Sequence, residues 1–236
     1  MKDRLQRSFY LLRNATDTWM WILGLSLFQL VSVKWIGLET AQTTLGLNQA
    51  AFFSGKVLQL FTYPYIHGHW VHLILNVIAL LILGSKVEHI IPKRLFRQLC
   101  MYASIVGGLL FLLLSPSNQI LVGASPICFA LLLILVTLSP ESKFLPVFLT
   151  GKTLGIAIIL IQLFFAIIHP EIPTGRLAET GRWFSDSFPE LFKVSHACHL
   201  GGSLVGWLYG MHLLRPRITL ETLKKQRAAR EEKERI

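Results

Sequence analysis

QLCMYASIVGGLLFLLLSPSNQILVGASPICFALLLILVTLSP, from Gln98 to Pro140, runs for 43 residues without one Asp, Glu, Lys or Arg. A helix crossing the hydrocarbon core of a bilayer needs about 20 residues, so this run holds two. The break falls at Ser115-Pro116-Ser117-Asn118, turn-forming residues that suit a loop and are costly in lipid. Working outward, four more uncharged runs appear: Thr18 to Val33, Val57 to Ser85, Thr153 to Pro170 and Val194 to Leu214. Six spans result, with apolar cores at Trp19 to Val33, Val71 to Gly84, Leu99 to Leu114, Pro126 to Leu138, Leu154 to Ile168 and Ala197 to Leu214. The runs are continuously apolar rather than alternating, which favours helices over a β-barrel. Only 15% of residues are charged, against about 25% in soluble domains, and mean hydropathy is +0.53. The expected fold class is all-α, a polytopic membrane protein.

Basic residues orient such a bundle, because Lys and Arg are retained on the cytoplasmic side of short loops. With the N-terminus inside, only Lys34, Lys56, Arg176, Arg182 and Lys193 of the 23 basic residues fall outside. Glu39, Glu171, Glu179, Asp186 and Glu190 match them, so the whole net charge of +10 belongs to the cytoplasmic face. Topology accounts for the basic balance, and no recognition motif points to nucleic acid. Residues 1–17 are expected as a cytoplasmic segment, 18–214 as the membrane domain, and 215–236 as a charged cytoplasmic tail forming a solvated helix after Arg217. The first helix lacks a small-residue cleavage site and is expected to be retained. These features suit a multi-pass protein of a bacterial inner (plasma) membrane. Cys100, Cys128 and Cys198 all fall within spans, where small packing residues are the plain expectation.

Polar residues inside spans carry the functional signal. In the second span His72 and Asn76 leave one helical face one turn apart. The fourth opens with Gly123-Ala124-Ser125-Pro126, and the sixth with His196-Ala197-Cys198-His199-Leu200-Gly201-Gly202. All three helices enter from outside, so His72, Ser125 and His199 share one depth. His199, Gly202, Gly206 and Gly210 share a face, a glycine seam allowing close approach to a neighbouring helix. Such a cluster suits acyl transfer: Ser125 attacks, His199 takes its proton and returns it to the leaving amine. His72, Asn76 and the Ser125 backbone N–H at a helix N-terminus are candidate oxyanion donors, with Gly123 giving the substrate close access. No acidic residue is placed to orient the histidine, so a dyad is expected. Each feature also has a plainer role. Ser125 before Pro126 is a helix N-cap, His72 an interfacial side chain, Asn76 a helix-to-helix hydrogen-bonding residue.

At these residues the chain resembles the rhomboid intramembrane proteases. The family pattern of a histidine, His-x-x-x-Asn and Gly-x-x-x-Glu is similar to His67, His72, Asn76, Gly84 and Glu88. Gly-x-Ser matches Gly123 to Ser125, and the His-x-Gly sixth helix matches His199, Gly201 and Gly202. The resemblance implies a six-helix rhomboid-like bundle and a serine endopeptidase that cuts transmembrane proteins in or near the bilayer. It implies Ser125 as nucleophile, His199 as base, an oxyanion hole at His72 and Asn76, and Phe129 packed against the catalytic histidine. Two departures stand out: the loop from Gly37 to Pro64 lacks the family's Trp-Arg pair, and Pro126 replaces the small residue after the nucleophile. Proline needs no N–H at a first helical position. The alternative from another class is a catalytically inactive rhomboid-like protein that binds membrane clients. A transporter finds no inverted repeat in its favour. No cofactor is expected, and no metal, since no helix carries His-Glu-x-x-His. Pro170, Pro173, Gly175, Gly181 and Pro189 predict a mobile lid rather than a rigid helix between the fifth and sixth spans.

Overall fold

The computed structural model describes residues 2–144, 148–172 and 175–215, with Lys224 and Arg227 beyond them. The expected tail helix after Arg217 and the lid residue Pro173 therefore fall largely outside the described residues. The chain is mostly helical. Six helices cover the uncharged runs of the sequence: α1 Thr16–Ile36, α2 Trp70–Ile90, α3 Lys93–Leu114, α4 Ser125–Leu138, α5 Gly151–Ile167 and α6 His196–Leu214. Among the described residues α1, α2 and α3 are long and apolar enough to cross a membrane. α4 and α5 are apolar but shorter. The outward faces of α1, α2, α3, α5 and α6 expose Leu23, Leu27, Leu75, Leu113, Leu160 and Leu208, as suits surfaces that face lipid.

α4 is the buried axis. Ile127, Ala130, Leu131, Leu133 and Ile134 are fully inaccessible, and α6 is by far its most extensive neighbour. The glycine seam of α6 lies along it. A Cβ at Gly202 would stand 2.7 Å from Cα of Pro126, one at Gly206 2.7 Å from Cα of Ala130, and one at Gly210 2.7 Å from Cβ of Thr137. Each is well inside van der Waals contact, so at Gly202 and Gly206 two backbones meet with no side chain between them, while Gly210 makes room for the Thr137 side chain. Gly201 abuts Gly107 of α3 in the same way.

At the end of the bundle away from Ser125, three helices are tied by charge. α1 starts after Ala15, which offers no side-chain cap. Glu88 of α2 takes that role: its carboxylate accepts from the N–H groups of Asp17 (3.0 Å) and Thr18 (2.9 Å) and from the Thr18 hydroxyl (3.0 Å). A carboxylate there satisfies orphan donors and complements the helix dipole. Gly84, one turn earlier, admits the Thr18 side chain, whose hydroxyl a Cβ would meet at 2.9 Å. Arg97 of α3 closes the cluster with two bonds to Asp17, at 2.8 and 3.0 Å.

The segment after α1 does not need the missing Trp-Arg pair to be held. Leu47–Asn48 pairs antiparallel with Ile120–Leu121 of the α3–α4 connection, and the Asn48 side-chain amide donates to the carbonyls of Ser117 and Gln119. Buried Tyr63 donates to the Ser104 carbonyl of α3 at 2.6 Å and accepts from the N–H of Gly123 at 3.0 Å.

The expected lid is corrected in one respect. Arg176–Ser187 is a 12-residue helix, not an irregular segment. Gly175 at φ +62° and Pro189 bound a stretch without proline, and Gly181 lies within it without breaking the helix. Gly181 sits directly on the Ile168 carbonyl, where no side chain fits, and Phe184 packs edge-on against Phe164 and Phe165 of α5.

Candidate active site

Ser125 opens α4 after Ala124, and His199 lies one turn inside α6. The seam brings them together: His199 Nε2 stands 2.8 Å from Ser125 Oγ, a hydrogen-bond distance for nucleophile and base. Ser125 is half-buried and His199 buried. The imidazole stacks on Phe129, with ring centroids 4.4 Å apart and planes at 29°. Phe129 is four residues after Ser125, so one face of α4 carries both the hydroxyl and the platform that fixes its partner. Among the described residues no carboxylate touches the ring, and orientation comes from stacking and from the edge of His196 at 6.3 Å.

His72 and Asn76 close the other side. Gly123 lies at φ +108°, a conformation natural to glycine. A Cβ there would stand 2.6 Å from His72 Nε2 and 3.5 Å from Asn76 Nδ2. The space beside Gly123 is thus lined by two nitrogen-bearing side chains of α2. Asn76 is buried, and among the described residues its Nδ2 has no hydrogen-bond partner. A buried amide N–H without a protein partner carries a penalty of about 1–3 kcal/mol, so this N–H is available to a group that enters the space beside Gly123. Gly123 has already given its own N–H to Tyr63, so its contribution is room and backbone conformation rather than a donor. Ser125, first in its helix, keeps its N–H free among the described residues.

Pro126 fits its position. Its Cβ fills the space left by Gly107 of α3, where a second Cβ would stand 2.8 Å away. As the second helical residue it needs no intrahelical donor.

Sequence reasoning missed three features. Cys128, taken as a packing residue, places Sγ 3.7 Å from both the side-chain and the backbone oxygen of Asn76. Its spacing of three from Ser125 put it on the active face, and that signal was available. Gln162 of α5 pairs with His196 Nδ1 at 2.7 Å, while His196 Nε2 donates to the Leu191 carbonyl at 2.7 Å. Gln119 reaches His169 Nε2 at 3.2 Å, and His169 Nδ1 accepts from the Glu171 N–H at 3.3 Å. Burial pushes His169, outside the spans, below its ordinary value. His67, His69 and His72 gather around α2's start, with His67 edge-on to His72 at 4.9 Å. They form no metal cage, and none exists among the described residues.

Residues 54–216 match a family model described as Rhomboid domain. Comparison with curated proteins returns no match.

Proposed function

The chain belongs to the rhomboid family, and on that premise we propose that it is an intramembrane serine endopeptidase working through a Ser125–His199 dyad. The observation that carries this reading is the 2.8 Å contact between Ser125 Oγ and His199 Nε2, set beside the unpartnered Nδ2 of Asn76. In the acylation step His199 Nε2 takes the Ser125 proton as Oγ bonds to the scissile carbonyl carbon. The carbonyl oxygen becomes an oxyanion and finds Asn76 Nδ2, His72 and the Ser125 N–H, donors already in place. The C–N bond then breaks, and His199 returns its proton to the leaving amine. Water repeats the cycle on the acyl-enzyme, with His199 again as base.

The proposal includes six spans, both termini in the cytoplasm and the site near the external face of a bacterial inner membrane, following the distribution of Lys and Arg. Substrates are transmembrane proteins whose helix unwinds locally near that face. Pro126 is the observation that favours the second reading, a silent client-binding scaffold, because it departs from the family pattern beside the nucleophile.

Purified protein reconstituted into liposomes with a single-span substrate tests the proposal. Cleavage that Ser125→Ala and His199→Ala abolish is the expected result. Wild-type protein that binds the substrate and never cuts it favours the scaffold. Reporter fusions at Arg217 and near Gly181 test the orientation, and an external C-terminus would contradict it.

A further inference from the structure

We propose that Cys128 is a positioning residue for the reaction, holding the Asn76 amide so that its N–H groups face the reacting carbonyl. The inference rests on the protease reading above and adds a residue to it. Asn76 offers two ends, and only the nitrogen end stabilises an oxyanion. Were the amide to rotate by half a turn about its last bond, the oxygen would face the developing negative charge and repel it. A thiol is a weak donor. From α4, Cys128 Sγ lies 3.7 Å from Oδ1 and 3.7 Å from the main-chain oxygen of Asn76. One S–H is shared between two oxygens of one residue. The main-chain oxygen fixes where the thiol sits, and the thiol in turn favours Oδ1 over Nδ2 on its side.

Among the described residues no other hydrogen bond from protein holds this amide: Nδ2 is buried without a partner. Cys128 is itself buried, so water does not compete for the thiol. Its place in the helix supports the assignment. Ser125, Cys128 and Phe129 lie at i, i+3 and i+4 on α4, one face of a helix. That face presents the nucleophile, the group that orients an oxyanion donor and the ring that holds the base. A packing role alone requires only a small apolar body, which valine supplies with no donor.

The test is a double-mutant cycle. Cys128→Val is expected to lower kcat about 2- to 6-fold, the value of one weak S–H hydrogen bond, with KM unchanged. Cys128→Ser, which restores a donor, is expected to recover most of that loss. In the Asn76→Ala background Cys128→Val is expected to cost nothing further, since its effect runs through the amide. Equal loss in both backgrounds would overturn the proposal in favour of packing, as would wild-type kcat in Cys128→Val. A readout independent of cleavage separates this inference from the protease reading. In protein labelled with 15N at asparagine, the Asn76 side-chain signals, assigned by their absence in Asn76→Ala, are expected to shift or broaden in Cys128→Val and not in Cys128→Ser. Unchanged signals in Cys128→Val would overturn it even if the protein proved to be a scaffold.

Discussion

Two walls of the bundle are built on different principles. Where α6 meets α4, backbone lies against backbone at Gly202 and Gly206, and Gly210 admits only the Thr137 side chain. Where α5 meets α6, the contacts are side chains near the Ser125 end, Gln162 to His196 and Phe165 stacked on His196 at 4.9 Å. Farther along, α5 and α6 diverge around an apolar groove of about 500 Å³ lined by Ile156, Leu160, Trp207 and Met211. A backbone seam has one register and tolerates no insertion. Side-chain pairs separate and re-form at modest cost. Ser125 and His199, which meet within hydrogen-bond distance, stand on the first wall, and the helix Arg176–Ser187 hangs on the second.

The largest effect should follow from prising the first wall open. Gly202→Ala places a methyl against the Pro126 backbone, where only displacement of α6 relieves the clash. A misplacement of about 1 Å at the reacting groups costs about 100-fold in rate, so cleavage should fall at least that far and the thermal midpoint should drop. The matched change on the second wall, Gln162→Ala, should leave the rate within severalfold, because it removes one side-chain hydrogen bond and leaves the Ser125–His199 register alone. Equal losses in the two variants would erase the distinction.

Asn76→Ala comes next. It removes one oxyanion donor without touching either seam, and it should slow cleavage by about 10- to 1000-fold while the unfolding midpoint holds. A lost midpoint with a proportionate loss of rate would instead return Asn76 to a packing role.

Pro126→Gly should change less. Glycine fits wherever proline packs against Gly107, and the helix end loosens by about 0.4–1 kcal/mol, so activity should survive. Activity that rises from nothing in the glycine variant would establish that proline silences the site.

The smallest effect concerns pH and the second wall. Burial pushes His169 below its ordinary value, with Gln119, Glu171 and Phe192 facing it and His196 nearby. A histidine whose folded value is depressed contributes stability fully above its ordinary value, about 6.5, and loses it as pH falls through the folded value. Below about pH 6.5 the protection of the Arg176–Ser187 amides, measured against the intrinsic exchange rate at each pH, should therefore fall, while α4 and α6 stay protected. His169→Gln should flatten that dependence. Protection of Arg176–Ser187 that is independent of pH in the wild-type protein would exclude His169 as the cause.

How legible each wall was in the sequence follows from its physics. The helices over the uncharged runs were readable because lipid excludes charge: the expected cores from Trp19 to Leu214 fall inside the observed helices to within about a residue, and three of those helices are long and apolar enough to cross a membrane. The glycine seam was readable because three- and four-residue spacing defines a helical face, and so was the gathering of His72, Ser125 and His199 at one end of the bundle. The helix Arg176–Ser187 was not. Its boundaries are prolines and glycines, and counting breakers does not tell whether they interrupt a helix or frame one. The two-residue pairing of Leu47–Asn48 with Ile120–Leu121 leaves no periodic trace. Glu88 appeared only as one letter of a motif, since its task of capping α1 links residues some 70 positions apart. Cys128 was legible by spacing and was passed over because cysteine in a span is ordinarily packing.

The central claim is that Ser125 is a nucleophile activated by His199. Purified wild-type protein treated with a fluorophosphonate probe and mapped by mass spectrometry tests it most directly. The account predicts a single adduct on Ser125, absent in Ser125→Ala and strongly reduced in His199→Ala. An adduct on another serine, or no adduct on folded wild-type protein, would contradict it.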